Sequence, residues 1–231
     1  MTGGGSRSRP AARYSGFVGL LFAAVIVIAL VSTLTDEEGS ILGGDPDERG
    51  TALAEFAVPD LLGSREGDAN VYQDDCSSDR RPCPEDDRVT PACEVDLTEV
   101  IRVCDWFDRP LAISFWFTRG GDCLPTQDAF DRVARRFDDR VGFLSIDIRD
   151  DRDEAREIVR ERGWEVPVGY DADGAVASLY RVGVCPTIAF AFPGGILMSA
   201  RIGSEELGEE QIETEIRKLI RESRRRAASD R

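Results

Sequence analysis

Six cysteines and no histidine decide what chemistry this 231-residue chain can do. Without imidazole there is no Ser/His/Asp triad, no Cys/His dyad and no histidine-based metal site. Reactions must therefore run on cysteine, carboxylate, hydroxyl or backbone groups. One cysteine stands where a thiol becomes reactive. In RPLAISFWFTRGGDCLPTQDAF (109–130), the apolar run Leu111 to Phe117 leads into a turn containing Gly120 and Gly121, then into Cys123 and an amphipathic stretch. The run does not alternate, which predicts a central strand buried on both faces. Phe130, Val133, Ala134 and Phe137 recur three and four apart, which predicts a helix with one face on the sheet. Asp122 is placed to cap that helix and Cys123 to sit in its first turn, where unpaired N–H groups and the helix dipole favour a thiolate.

The other cysteines read differently. Cys76, Cys83 and Cys93 fall in a polar, charged, loop-like stretch, and Cys104 follows Leu97, Val100 and Ile101 at helical spacing, which predicts a short helix. In an exported chain these four are structural disulfide candidates, although six cysteines allow many connectivities and the sequence does not choose among them. The gaps of 7, 10, 11, 19 and 62 residues lack the closely paired ligands of a zinc site, so no metal is expected, and no motif calls for a cofactor.

Export is read from the N-terminus. Residues 14–35 carry no charge and are apolar almost throughout from Phe17 to Leu34, long enough to cross a bilayer as a helix. Arg7, Arg9 and Arg13 precede this stretch and Asp36, Glu37 and Glu38 follow it, so the positive-inside bias leaves residues 1–13 in the cytoplasm and the remainder outside. A cleaved signal peptide is the rival reading, with Val27 and Ala29 as a small-residue cleavage site; the length of the apolar run favours an uncleaved single-pass anchor in the cell membrane. Residues 36–50, acidic and glycine-rich, read as a flexible linker without fixed structure. Beyond position 35 stand 26 basic against 44 acidic residues, a balance that repels phosphate backbones and excludes nucleic acid as a partner.

The elements that position Cys123 follow in order. Val141–Ile148 reads as a second strand, and Asp151 with Glu154 as the cap of a helix whose stripe is Ala155, Ile158 and Val159 and whose end is Gly163. Val166–Tyr170 is a third strand, DADG (171–174) a turn, and Ala175–Val182 a short helix. Thr187–Phe192 and Ile196–Ile202 form a hairpin about Pro193, Gly194 and Gly195, and a helix from about Glu209 to Arg224 precedes a basic tail, 225–231. The order predicts an α/β domain over 51–224 with a mixed central sheet flanked by helices. Asp147, Asp150 and Asp151, where a strand hands over to a helix, read as capping residues. The arginines from Arg217 to Arg226 read as a solvated helix end.

FWFTRGGDC before a helix, with VGVCPT leading into a hairpin and terminal helix, resembles the thioredoxin fold, and within it the membrane-anchored TlpA-like thioredoxins of the redoxin group that includes alkyl hydroperoxide reductase and thiol-specific antioxidant proteins. AEFAVPDLLG (54–63) looks like that group's opening segment, residues 149–170 like the helix and strand inserted in the TlpA branch, and residues 71–95 like an added, cysteine-containing insertion. In that family the strand runs into WCxxC, whose first cysteine attacks and whose second resolves. On that pattern Phe115, Trp116 and Thr118 match, Arg119 takes the tryptophan position, Gly120 the first cysteine and Cys123 the second. The motif is GxxC. The family's cis-proline falls at Pro186, and the residue before it, which lies against the active-site sulfurs in that fold, is Cys185.

The resemblance thus implies a non-standard pair, Cys123 with Cys185, as the catalytic thiols, with Cys185 the more exposed sulfur. It implies a substrate groove at Val184, Pro186 and Thr187, support from Trp116, Thr118, Arg119 and Gly120, and protein thiols or disulfides as partners, bound by strand addition beside Pro186. Other readings of the same residues stay open. The two cysteines form a permanent structural disulfide, or they fill the core as free thiols, leaving a redox-inactive binding or scaffold module. A peroxiredoxin-like peroxidase is disfavoured, because that group spaces its cysteine as TxxC whereas four residues separate Thr118 from Cys123.

Overall fold

The computed structural model describes residues 43–47, 50–66, 77–78, 81–82, 91–120, 122–203 and 207–229. The segment 14–35 read as an anchor and the cysteines Cys76 and Cys83 lie outside these. Among the described residues no helix is long and apolar enough to cross a membrane.

The strands are β1 (Gly43–Asp47), β2 (Gly50–Leu53), β3 (Ala57–Pro59), β4 (Ser77–Ser78), β5 (Arg81–Pro82), β6 (Val100–Arg102), β7 (Leu111–Trp116), β8 (Gly142–Ile148), β9 (Val168–Asp171), β10 (Thr187–Phe192) and β11 (Ile196–Ile202). The helices are α1 (Leu124–Phe137), α2 (Arg152–Arg162), α3 (Ala175–Leu179) and α4 (Glu209–Ser229). Seven strands make one sheet in the order β1-β2-β11-β10-β7-β8-β9. β7, β8 and β9 run parallel, while β10 is antiparallel to both β7 and β11, so the sheet is mixed.

β7 is central because every one of its residues is buried. Its side chains divide between two layers. Leu111, Ile113 and Phe115 join Leu144, Ile146, Phe56 and Tyr180 on one face, while Ala112 meets Phe130, Val133, Phe143, Ile188 and Ile216 on the face covered by α1 and α4. The free edge of β9 is covered by the chain after β3: Asp60 bridges Gly169, and the Leu61 N–H donates to the Val168 carbonyl at 2.8 Å. Two arginines of α2 hold that segment down, Arg152 donating to the carbonyls of Asp60 and Arg65, and Arg156 to those of Leu61 and Gly63.

Four expectations are corrected. Part of the stretch read as a structureless linker, Gly43–Asp47, is an edge strand paired with β2, because such pairing needs only main-chain groups and no apolar pattern. Leu97 to Cys104 is not a helix: Val100–Arg102 pairs with β3, a 3₁₀ turn follows at Val103–Trp106, and Leu97 is half exposed. α4 runs on to Ser229, through most of the segment read as a tail. Asp122 does not cap α1; Cys123 holds that position with no side-chain cap, and Pro125 follows in the first turn, where its missing N–H costs nothing. Asp151 does cap α2, accepting from Asp153 and Glu154 N–H, and Gly163 ends that helix at φ 63°.

Candidate redox site

β7 rises to one end of the sheet and β10 starts from the same end, since Thr187 pairs with Phe115. The segments before and after these strands therefore meet. Cys123, ahead of α1, and Cys185, ahead of β10, are joined by a disulfide with Cα atoms 5.7 Å apart across 62 residues of chain. Their exposure is unequal. Cys123 is 1% exposed, packed with Trp116, Trp164 and Leu61, whereas Cys185 is only partly buried. The Cys185–Pro186 bond is cis. Pro186 and Thr187 are buried, the Thr187 hydroxyl donates to the Val184 carbonyl at 2.7 Å, and the Gly203 N–H donates to the Pro186 carbonyl at 2.7 Å. Val184, the residue before Cys185, is 48% exposed.

The main-chain oxygen of Phe117 lies 3.1 Å from the Cys123 sulfur and 3.8 Å from that of Cys185. A disulfide has no hydrogen to donate, so these are contacts; a reduced Cys123 would carry a thiol aimed at that oxygen. A carbonyl in this position stabilises the protonated thiol and opposes the thiolate that the helix start favours.

Thr118 is fixed from the far side of the strand end. Its N–H and hydroxyl both donate to Asp150, at 2.6 and 2.8 Å. Asp150 is 4% exposed and also accepts a bond at its main-chain oxygen from the Tyr170 hydroxyl. It therefore holds the site turn, not a helix start, which corrects its reading as a cap. Asp147 is corrected as well. It lies within β8 beside Trp116 in register, on the same side of the sheet as Phe143. No N–H or O–H donor reaches its carboxyl oxygens. Burial first, then the neighbouring Asp150 and Asp171, push its pKa up to about 9. As a carboxylate Asp147 would be unsatisfied; as a carboxylic acid it donates to Asp150, and this is the form the surroundings select at neutral pH.

Three residues about the GxxC turn face solvent. Arg119, Gly120 and Asp122 are exposed, Gly120 has φ 94°, and a Cβ placed on it would meet no atom within 4 Å. Trp116 is fully buried, stacks edge-on to Trp164, 5.1 Å between centroids, and lies in the same apolar cluster as Cys123. Sequence reading did not find the Phe117 oxygen or the tie between Thr118 and Asp150. The first is a main-chain atom, and the second joins residues 32 apart on different strand ends.

A second disulfide, Cys93–Cys104, joins the 3₁₀ turns Ala92–Glu94 and Val103–Trp106. Glu55 and these two sulfurs lie within 4.8 Å of one another, but sulfurs bonded to each other have no thiolate to offer a metal.

No protein-family model and no curated protein sequence matches the chain. Solved structures do. A putative thiol:disulfide interchange protein DsbE from Chlorobium tepidum is similar over 76% of this chain and 99% of its own, with TM-score 0.55 and 15% identity. The exposed lipoprotein thioredoxin Etrx1 of Streptococcus pneumoniae aligns over 70% of this chain and 99% of its own, with TM-score 0.48 and 17% identity. A secreted disulfide oxidoreductase of Mycobacterium tuberculosis homologous to E. coli DsbE aligns over 50% and 85%, with TM-score 0.46 and 18% identity. At such identities it is the fold that is shared: the chain has a thioredoxin-like α/β fold, with a mixed sheet between helices.

Proposed function

We propose that this chain is a membrane-anchored, extracytoplasmic thiol–disulfide oxidoreductase that exchanges through Cys123 and Cys185 in place of a CxxC pair. The observation that carries the reading is a disulfide between a buried cysteine, Cys123, and a partly buried one, Cys185, at the strand end where α1 begins and beside Pro186. In the oxidising direction, a partner thiolate attacks the sulfur of Cys185, the less buried of the two cysteines. The S–S bond breaks, a mixed disulfide forms on Cys185, and Cys123 leaves as a thiolate that takes up a proton. The partner's second thiol then attacks its own sulfur in that mixed disulfide, releasing Cys185 and closing the partner's disulfide. Two electrons pass from partner to protein. In the reverse direction Cys185 attacks and Cys123 resolves. The apolar, charge-free stretch 14–35 behind three arginines supports the anchor and the orientation, and an oxidising compartment suits the second disulfide.

A redox-inactive binding module is the second reading, favoured by Gly120 in place of an attacking cysteine and by the burial of Cys123. That burial also weighs against peroxidase chemistry, which needs an accessible thiolate at Cys123. Trapping separates these readings. Cys123→Ser leaves Cys185 able to capture a partner or glutathione but unable to resolve it, so mixed disulfides accumulate on Cys185; Cys185→Ser, with only the buried sulfur left, accumulates few. Equal trapping by both variants, or none by either, would rule out exchange through this pair.

A further inference from the structure

From Arg217 to Ser229, α4 carries six basic side chains and one acidic residue, Glu222, in a chain of net charge −15. A helix dipole accounts for the cation in the last turn, Arg226, but its effect does not reach back to Lys218 and Arg221, one to two turns earlier. Arg217 pairs with Glu213 at 2.6 Å and Arg226 lies over the Phe192 ring at 4.4 Å; Lys218, Arg221, Arg224 and Arg225 make no ion pair among the described residues.

Their place in the fold gives them a target. Phe192 is the last residue of β10, so Arg226 brings the end of α4 to the end of the sheet opposite the disulfide. The chain enters the sheet at that same end: Gly43 pairs with Leu53, whose N–H donates to the Gly195 carbonyl in the turn after Phe192. Only residues 36–42 separate Gly43 from the apolar segment, a tether of at most about 25 Å. Near that end Asp108 pairs with Arg109 and Asp139 with Arg140, while exposed Asp138 and, in β1, Asp45 and Asp47 are acidic, so the basic charge is concentrated on α4.

We propose that the C-terminal half of α4 docks on anionic phospholipid headgroups, which seats the domain on the bilayer with its disulfide end turned away. The inference rests on the anchoring reading above. Basic clusters next to a membrane anchor are drawn to anionic surfaces within a Debye length, and salt weakens that attraction.

Lys218 is the chain's only lysine and so reports on the surface by itself. The full chain is reconstituted into vesicles of phosphatidylcholine alone or mixed with phosphatidylglycerol, and acylation of Lys218 by a membrane-impermeant amine reagent is followed by mass spectrometry. In anionic vesicles at low salt the reaction should slow at least about five-fold relative to neutral ones, the share of one basic group. High salt should restore the rate, and so should Arg221→Gln, Arg224→Gln and Arg225→Gln combined, which alter exposed side chains without ion pairs. Equal rates in both lipids overturn the proposal, whether fast, with the helix facing water, or slow, with the helix covered by protein such as the acidic stretch Asp36–Glu38. Co-flotation with neutral vesicles tests the anchor separately. A chain that fails to float refutes anchoring, whereas one that floats but shows no lipid dependence refutes only the docking.

Discussion

Asp147→Asn isolates the buried acid beneath the site. Asp147 is fully buried and its pKa is raised to about 9, foremost by burial and then by Asp150 and Asp171. Between the unfolded value near 3.8 and that folded value, the native state holds a proton which the unfolded chain releases. Stability therefore falls as pH rises through the window, by up to about 1.4 kcal/mol per pH unit from this one group. At pH 7 the accumulated penalty is on the order of 4 kcal/mol, an upper bound for a carboxyl coupled to its neighbours. Asparagine keeps the volume and an N–H donor toward Asp150 but does not titrate, so it removes the pH-dependent loss. Urea unfolding of the oxidised chain in detergent, followed by tryptophan fluorescence from pH 4 to 9, should give parent and variant similar stability at the acid end. The variant should be the more stable by a margin that grows with pH. Parallel pH profiles would show that Asp147 is ionised in the native state, and the assignment of a proton between Asp147 and Asp150 would be wrong.

Three further outcomes follow from the packing. Replacing Cys93 and Cys104 together by serine removes a short cross-linked loop and should lower stability by about 3 kcal/mol in chemical denaturation, while leaving exchange at Cys123–Cys185 intact; loss of exchange would tie the two disulfides together. Gly120→Cys restores a CxxC spacing at a position with open space but φ 94°, at a backbone cost of roughly 1–2 kcal/mol. Disulfide mapping should then find a share of chains linked 120 to 123 with Cys185 free, and finding none would mean that the turn holds residue 120 away from Cys123. Gly169→Ala drives a methyl to 2.6 Å from Val58 and 2.8 Å from Ile146, so the melting transition should reveal a loss of roughly 1–3 kcal/mol. An unchanged transition would mean that β3 is not seated against β9.

How far the chain could be read depended on whether residue types carried the information. β7 was legible because seven consecutive residues from Leu111 leave no polar face. α2 was legible because Asp151 and Gly163 mark both its ends in side-chain chemistry. β1 was not, since an edge strand is held by main-chain bonds that any sequence offers. Helical spacing from Leu97 to Cys104 misled because pairing with β3 and the bond to Cys93 outweigh local periodicity. At the site, nothing in the spacing of Cys123 and Cys185 joins residues 62 apart, and the pairing came only through the resemblance. Asp150 looked like a cap because it precedes a helix, but its side chain turns back to Thr118. Asp147 sits in the alternation VGFLSIDI where an outward-facing residue was equally compatible, and only the cover of the sheet on that side makes it a buried acid.

The most direct test of exchange is the reduction potential of Cys123–Cys185. The full chain would be equilibrated in thiol buffers of graded potential, alkylated, and mapped by mass spectrometry. An exchanging pair opens above about −300 mV while Cys93–Cys104 stays closed. If Cys123–Cys185 stays closed below about −300 mV, the bond is structural and the chain is a binding module with the fold of an oxidoreductase.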